Sequence, residues 1–190
     1  LVDYAEVVSQ PQPDGTLADL ASLAGLAPDE LGRRYWRHRP PYDRGGSAQR
    51  YWSDVLGREL SAGDPLLGEL VRRDTEAWLH LNDETVAVLT AAQRDGARLA
   101  LLSNAPPELA DAVAAHPAMT IFEHLLFSAR LGVAKPDAAA FAAALDVIGE
   151  PAGAVVFIDD RAENVEAARA SGLDSLLFTT ADELQAFLRS

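Results

Sequence analysis

The stretch Ala154-Val155-Val156-Phe157-Ile158-Asp159-Asp160-Arg161-Ala162-Glu163-Asn164 decides the fold. Its first half, AVVFI, is short, apolar and β-branched, as expected of a strand covered on both faces. Two adjacent carboxylates end the run. A helix-like segment follows from Glu163 to Ala170 and stops at Gly172. The acids therefore fall at the carboxyl end of a strand, where open α/β sheets collect their ligands. Neighbouring carboxylates repel, so a positive charge is expected beside them. With no cysteine and no nearby histidine, oxygen ligation of a hard cation is indicated, and Mg²⁺ fits best. A solvated Asp-Asp turn capping the helix is the structural alternative.

Working outward, the same texture extends from Asn82 to the end of the chain. Asp83 caps a helix that ends at Gly96, and Arg98–Leu102 reads as a strand followed by Ser103-Asn104. Pro107–Ala115 is helical, Leu125–Phe127 is a short strand, and Leu131–Pro136 is a loop. A helix then runs from Pro136-Asp137 to Gly149. After the opening strand and helix come a strand at Ser175–Phe178 and a last helix, for which Thr180 and Glu183 form a T-x-x-E capping box. Alternating strands and helices imply a doubly wound parallel sheet of the α/β class.

The region before Asn82 is different. Leu1–Val8 reads as the tail of a strand and a polar turn, with Asp3 the first acid after the strand. Ser9–Gly15 is rich in Pro and Gly, as a linker is. From Leu17 to about Leu81 the apolar spacing is helical throughout, with helix starts at Pro28, at Ser47 and at Asp64-Pro65. The expected organisation is a core of residues 1–13 and 82–190 with an all-helical cap at 14–81. Seven arginines fall between Arg33 and Arg58, interleaved with His38, Tyr35, Trp36, Tyr42 and Trp52. They form either a solvated basic face over an aromatic cluster or a surface that meets an anionic substrate; Arg33, Arg37, His38 and Arg44 are the candidates for the second role.

The totals narrow the function. A formal charge of −13 disfavours nucleic acid and anionic membranes, although a local site can still bind an anion. The absence of cysteine excludes disulfides and thiol catalysis and is compatible with a cytoplasmic location. No apolar run is long enough for a membrane helix, and no signal-peptide pattern is seen. The chain starts at Leu1 rather than Met, so residues upstream are expected. The basic residues are 15 Arg and one Lys, Lys135, which singles out that position for a task suited to a compact point charge.

Four places then stand in order: Asp3, Ser103-Asn104, Lys135 and Asp159-Asp160. In LLSN (101–104), KPD (135–137) and FIDDRAEN (157–164), and less fully in VDYAEVV (2–8), the chain resembles the haloacid dehalogenase superfamily, in the branch with a helical cap after the first motif and near the alpha-glucose-1-phosphate phosphatase-like members. The resemblance implies a Mg²⁺-dependent phosphatase acting on a small phosphorylated metabolite. Asp3 would be the nucleophile. Asp3, Asp160, the Ala5 carbonyl and, directly or through water, Asp159 would hold the metal. Ser103 and Asn104 would bind phosphoryl oxygens, Lys135 would neutralise developing charge, and Asn164 would position the acid loop. Ser103-Asn104 as a helix cap and Asn164 as a surface amide are the structural alternatives.

The first motif departs from the family's phosphatases. The usual second Asp, which protonates the leaving group, is replaced by Ala5, and Glu6 follows where Gly is common. Asp14-Gly15-Thr16-Leu17 imitates the end of the DxDGTL signature, but position 12 is Gln and no strand precedes it, so it is read as a decoy. Two other functions remain open. One is a homologue that binds a phosphometabolite or a partner protein without catalysis. The other is a 2-haloacid dehalogenase, which also uses an Asp nucleophile but lacks the paired acids. Sequence leaves the oligomeric state open.

Overall fold

The computed structural model describes residues 1–189. Its sheet contains β1 (Ala100–Ser103), β2 (His124–Phe127), β3 (Val156–Asp159) and β4 (Asp174–Leu177). β1 pairs with β2 and β3 with β4, both in parallel. Leu1–Asp3 joins the two pairs: Val2 bridges Leu101 on one side and Ile158 on the other. Val2 N donates to Ala100 O, Leu102 N to Val2 O and Asp3 N to Ile158 O, each at 2.9 Å. The strand order is therefore β2, β1, Leu1–Asp3, β3, β4, all running the same way.

Helices cover both faces, which explains why the strands read as continuous apolar runs. On one face Val2, Leu101 and Ile158 pack with side chains from α5 (Asp83–Arg94), α6 (Pro107–Ala114) and α10 (Ala181–Leu188), including Leu89, Val113 and Leu184. On the other, Ala100, Leu102 and Phe157 pack with Phe141 of α8 (Ala138–Ile148) and Ala168 of α9 (Ala162–Ala170). Successive strand residues alternate between the two clusters, as a pleated strand requires. A fully buried Leu101 or Phe157 contributes about 1.5–3 kcal/mol relative to exposure.

The helical region comprises α1 (Thr16–Ala24), α2 (Pro28–Asp43), α3 (Ala48–Leu56) and α4 (Pro65–Ala77). Pro28 and Pro65 occupy first turns, where a missing N–H costs nothing. Ser47 Oγ accepts from Arg50 N at 3.3 Å, and Asp64 Oδ1 from Leu66 N at 2.9 Å. These helices have their own apolar cluster, in which Leu20, Leu31, Tyr35, Trp52 and Leu70 are fully buried. The chain passes into and out of this block side by side: Gln10 N donates to His80 O (2.7 Å) and Asn82 N to Val8 O (2.9 Å). Gly45 meets α7 (Ser128–Leu131) of the core; at its φ of 97° a side chain would lie 2.8 Å from Ala129 O, so only glycine fits.

Two local expectations are corrected. Asn82, not Asp83, caps α5, accepting from Thr85 N at 3.2 Å. Thr180 caps α10 through Glu183 N (3.2 Å), but the Glu183 carboxylate reaches the Thr179 hydroxyl, so the reciprocal arm of the capping box does not form. The opening is a strand tail, Leu1–Asp3, followed by a turn, as expected; Tyr4–Val8 closes it widely, with Ser9 N donating to Tyr4 O at 2.8 Å and Tyr4, Val7 and Val8 buried. Among the described residues, no helix is long and apolar enough to cross a membrane.

Candidate active site

Because the central strands are parallel, their carboxyl ends share one edge of the sheet. That edge brings together Asp3, Ser103 and Asp159-Asp160, the last residues of three neighbouring strands and the acid that follows β3. Lys135 reaches them from the loop ahead of α8. Its Nζ lies 2.7 Å from Asp3 Oδ1 and 2.7 Å from Asp159 Oδ2, and the side chain is buried.

The three acids are held differently. Asp3 Oδ1 accepts from Tyr4 N (2.7 Å) as well as from Lys135, while no described donor reaches Oδ2. Asp159 is fully buried, and both of its oxygens are occupied. Oδ1 accepts from Arg161 N and Asn164 Nδ2, each at 2.9 Å; Oδ2 accepts from Lys135 Nζ at 2.7 Å and Asn164 Nδ2 at 3.1 Å. Asp160 is half-buried and forms no ion pair among the described residues. Ligand oxygens of Asp3, Asp159 and Asp160 lie within 4.8 Å of one another, and Asn164 Oδ1 is buried without a partner.

The electrostatics follow from this crowding. Burial pushes the Asp3 carboxyl up to about 7; Lys135 opposes the rise and the neighbouring Asp159 and Asp160 reinforce it. Asp160 is pushed up to about 6 by burial, then by Asp159 and Glu6. Burial acts to discharge Lys135, but Asp3 and Asp159 outweigh it and hold the ammonium above its ordinary value. One lysine cannot neutralise three carboxylates. The residues present fit a hard divalent cation: the donors are all oxygens, the charge is in negative excess, and an orphaned amide oxygen stands beside them.

Asn104 makes a contact that the sequence did not announce. Its amide is spent on the Lys135 peptide, with Oδ1 accepting from Lys135 N (2.9 Å) and Nδ2 donating to Lys135 O (2.7 Å). It fixes the loop that carries the lysine. Ser103 is buried in the cleft wall, and its hydroxyl has no hydrogen-bond partner among the described residues. Pro106, rather than either residue, stands at the start of α6.

Above Asp3 lies a cavity of about 140 Å³ that is also lined by Ala5, Glu6, Ser103, Lys135 and Asp160. Glu6 holds a left-handed φ of 59° and donates its N–H to Ser9 Oγ (3.3 Å), a conformation that costs on the order of 1 kcal/mol for a non-glycine residue. The helical block supplies the opposite wall through Trp36, Arg39, Asp43 and Trp78. None of these four was singled out as a site residue by the sequence. The available signal was helical spacing, since Trp36, Arg39 and Asp43 share one side of α2. Arg33 and Arg37 are exposed and outside this cavity, and His38 lines a separate one of about 80 Å³. Arg44 sits at the outer rim, paired with Asp137 at 2.9 Å. Asp14 is exposed at the start of α1, away from the cleft, in keeping with its reading as a decoy. A larger cavity of about 450 Å³ is lined by the starts of the strands, around Ala100, His124 and Val156, and contains none of the acids.

Fold and site together define a doubly wound α/β protein with a strand-end aspartate beside a lysine-tethered acid pair. Residues 14–172 match the profile of the haloacid dehalogenase-like hydrolases, and the chain belongs to that family. Phosphatase MT3486 of Mycobacterium tuberculosis is 29% identical over 169 residues, covering 84% of this chain and 76% of that protein. A haloacid dehalogenase family enzyme of Bacteroides thetaiotaomicron, solved as a magnesium complex, superimposes with a TM-score of 0.81 at 15% identity, covering 100% of this chain and 97% of that one. The same enzyme with magnesium and inorganic phosphate gives 0.77 at 16% identity over 94% and 92%. An L-2-haloacid dehalogenase gives 0.73 at 19% identity over 100% and 97%. These structural likenesses establish the fold.

Proposed function

We propose that this protein is a Mg²⁺-dependent phosphatase that hydrolyses a small phosphorylated metabolite through an aspartyl-phosphate on Asp3. The observation that carries the reading is the asymmetry of Asp3, which lines the cleft: Oδ1 is tied by Lys135 and Tyr4 N while no described donor reaches Oδ2. A nucleophile needs one oxygen anchored and the other free. Oδ2 attacks phosphorus, the bond to the leaving oxygen breaks, and water then cleaves the aspartyl-phosphate. Lys135 and the Ser103 hydroxyl face the phosphoryl oxygens and stabilise charge as it spreads over them. Asp160, Asp3 and the Ala5 carbonyl would hold Mg²⁺, which when bound draws charge from the phosphoryl group and offsets its repulsion from Asp3. Asp159, with both oxygens engaged, acts by fixing Lys135 and the acid loop. Helices α1–α4, the cap of this reading, close the cleft from above. The relative named a phosphatase supports this assignment over dehalogenation, as does the acid pair.

Ala5 supplies no proton to the leaving group, so the reaction favours leaving groups that depart as stable anions, such as anomeric, acyl or aryl oxygens. The test is phosphate release from an aryl phosphate and from alpha-glucose 1-phosphate, with Mg²⁺ and with chelator. Metal-dependent turnover that falls at least about 10³-fold in Asp3→Asn is the expected result. Ala5 also favours a second reading, a binding protein derived from the enzyme. Mg²⁺ binding with no turnover on either compound would establish that one, and halide release in chelator would reveal a dehalogenase.

A further inference from the structure

We propose that the substrate's leaving group is an uncharged aromatic ring that stacks on Trp36, making the substrate an aryl phosphate monoester. The inference rests on the phosphatase reading and narrows its substrate. It starts from an apolar side chain in the wrong place. Trp36 is 52% exposed, the most open of the large apolar residues, although burying an indole is strongly favourable. It lies on the wall shared by the cavity over Asp3 and an outer chamber of about 490 Å³.

The indole has one ring contact. It packs edge-on against Tyr35, with centroids 4.9 Å apart and planes at 84°. Tyr35 is fully buried and donates its hydroxyl to Asp74 Oδ1 at 2.6 Å. A ring held this way is preorganised for stacking and loses little freedom on binding. Pro40, Ala134 and Pro136 join Trp36 as the apolar part of the chamber's lining, and the remainder is polar or charged.

Charge in the chamber points the same way. Arg39 is held by Asp43 and Asp74, Arg44 by Asp137, and Arg161 by Glu163. Each guanidinium on this wall already has a carboxylate, so a second anionic group on the substrate would have to displace one. The small inner cavity suits the phosphoryl group, and the organic part lies in the chamber beyond it.

The chemistry at Ala5 is an independent argument with the same outcome. With no acid at this position, the P–O bond breaks with its electron pair going to the leaving oxygen. A phenolate spreads that charge into its ring and later takes a proton from solvent. Asp3 carries the phosphoryl group until water releases it as inorganic phosphate. An aromatic leaving group satisfies both the missing donor and the waiting indole. A sugar leaving group satisfies only the first.

The experiment uses the full chain with Mg²⁺ and compares 4-nitrophenyl phosphate with acetyl phosphate, which has a good leaving group and no ring. The ratio of kcat/KM for the aryl over the acyl compound is measured in the parent, Trp36→Ala and Trp36→Phe. The ratio should fall about three- to tenfold in Trp36→Ala, through KM for the aryl phosphate, and recover in Trp36→Phe. An unchanged ratio in Trp36→Ala, or turnover of acetyl phosphate alone, overturns the inference and leaves the phosphatase reading standing. Turnover of neither compound by the parent overturns both.

Discussion

In the helical block Arg39 lies between Asp43 and Asp74; in the core Lys135 lies between Asp3 and Asp159. Both cations are more than nine-tenths buried, and each is flanked by two carboxylates. The difference lies in what remains. Around Arg39 the set is closed. Its guanidinium also reaches the Tyr35 hydroxyl, which bonds Asp74 in turn and receives Trp78 Nε1 (3.5 Å) and Gln12 Nε2 (3.4 Å). Around Lys135 a third acid, Asp160, has no paired cation among the described residues, and no described donor reaches one oxygen of Asp3. A closed network rigidifies; an open one with excess charge waits for a ligand. The planar fork of arginine suits several fixed acceptors, and the point charge of lysine suits a centre where groups come and go.

The sharpest way to break this comparison is to remove each cation. Lys135→Met and Arg39→Met both leave buried carboxylates unpaired, and each should cost about 3–5 kcal/mol. For a chain of this size that is a fall in Tm of about 6–20 °C. Mg²⁺ should separate them. In Lys135→Met the metal replaces part of the lost charge, so Tm recovers by several degrees on titration. In Arg39→Met the acids Asp43 and Asp74 belong to no group of three ligand-bearing side chains among the described residues, so the deficit persists, and Mg²⁺ adds only the increment it gives the parent. Thermal unfolding of both variants across a Mg²⁺ series is the measurement. Equal rescue of the two would show that the clusters are not different in kind.

How much of this contrast was legible in the sequence depends on whether a role is local. Asp159-Asp160 could be read because an apolar run and two adjacent acids suffice to mark a strand end. Lys135 stood out by rarity. Asp3 was harder: its strand contributes only Leu1 and Val2 ahead of it, and the position emerges from its order with the later motifs and the family resemblance. The tie of Asn104 to the Lys135 peptide was not legible, because its partner is the backbone of a residue 31 positions away and nothing local announces that contact. On α2 the choice of Arg33, Arg37, His38 and Arg44 followed residue type. The side that faces the cleft is instead set by long-range bonds: Tyr42 Oη to Glu108 Oε2 at 2.7 Å, and Ser128 Oγ to Asp43 O. Trp36, Arg39 and Asp43 share that side through helical spacing, but spacing alone does not say which side turns inward.

A smaller effect tests the open cluster through pH. The Asp3 carboxyl is pushed up to about 7 in the folded protein from an ordinary value of 3.8, and Asp160 up to about 6. Between these limits the folded state holds protons that the unfolded chain has released. Stability in chelator therefore falls as pH rises from about 4 to about 7. Mg²⁺ favours the ionised acids, and saturation at about 100 times its Kd adds about 2.7 kcal/mol. The gap between Tm with Mg²⁺ and Tm with chelator should thus widen with pH across that window and shrink in Asp160→Asn. A gap independent of pH would mean that the acids are already ionised without metal, and that the cluster is less crowded than its geometry implies.

The smallest expected effect bears on the helical block. Arg33→Ala and Arg37→Ala remove exposed charges that lie outside the cleft, and the stability change should stay within about 0.5 kcal/mol. Their KM values should stay within about twofold of the parent, in contrast to the rise expected for the aryl phosphate in Trp36→Ala. The contrast matters because two physical pictures of recognition are in competition. If the basic residues of α2 attract an anionic substrate at a distance, both variants raise KM, and the rise disappears at high salt as screening shortens the reach of their charge. If recognition is by contact within the cleft, salt and the outer arginines are equally indifferent, and the indole decides. Steady-state kinetics of the three variants at low and high ionic strength distinguish a field from a surface.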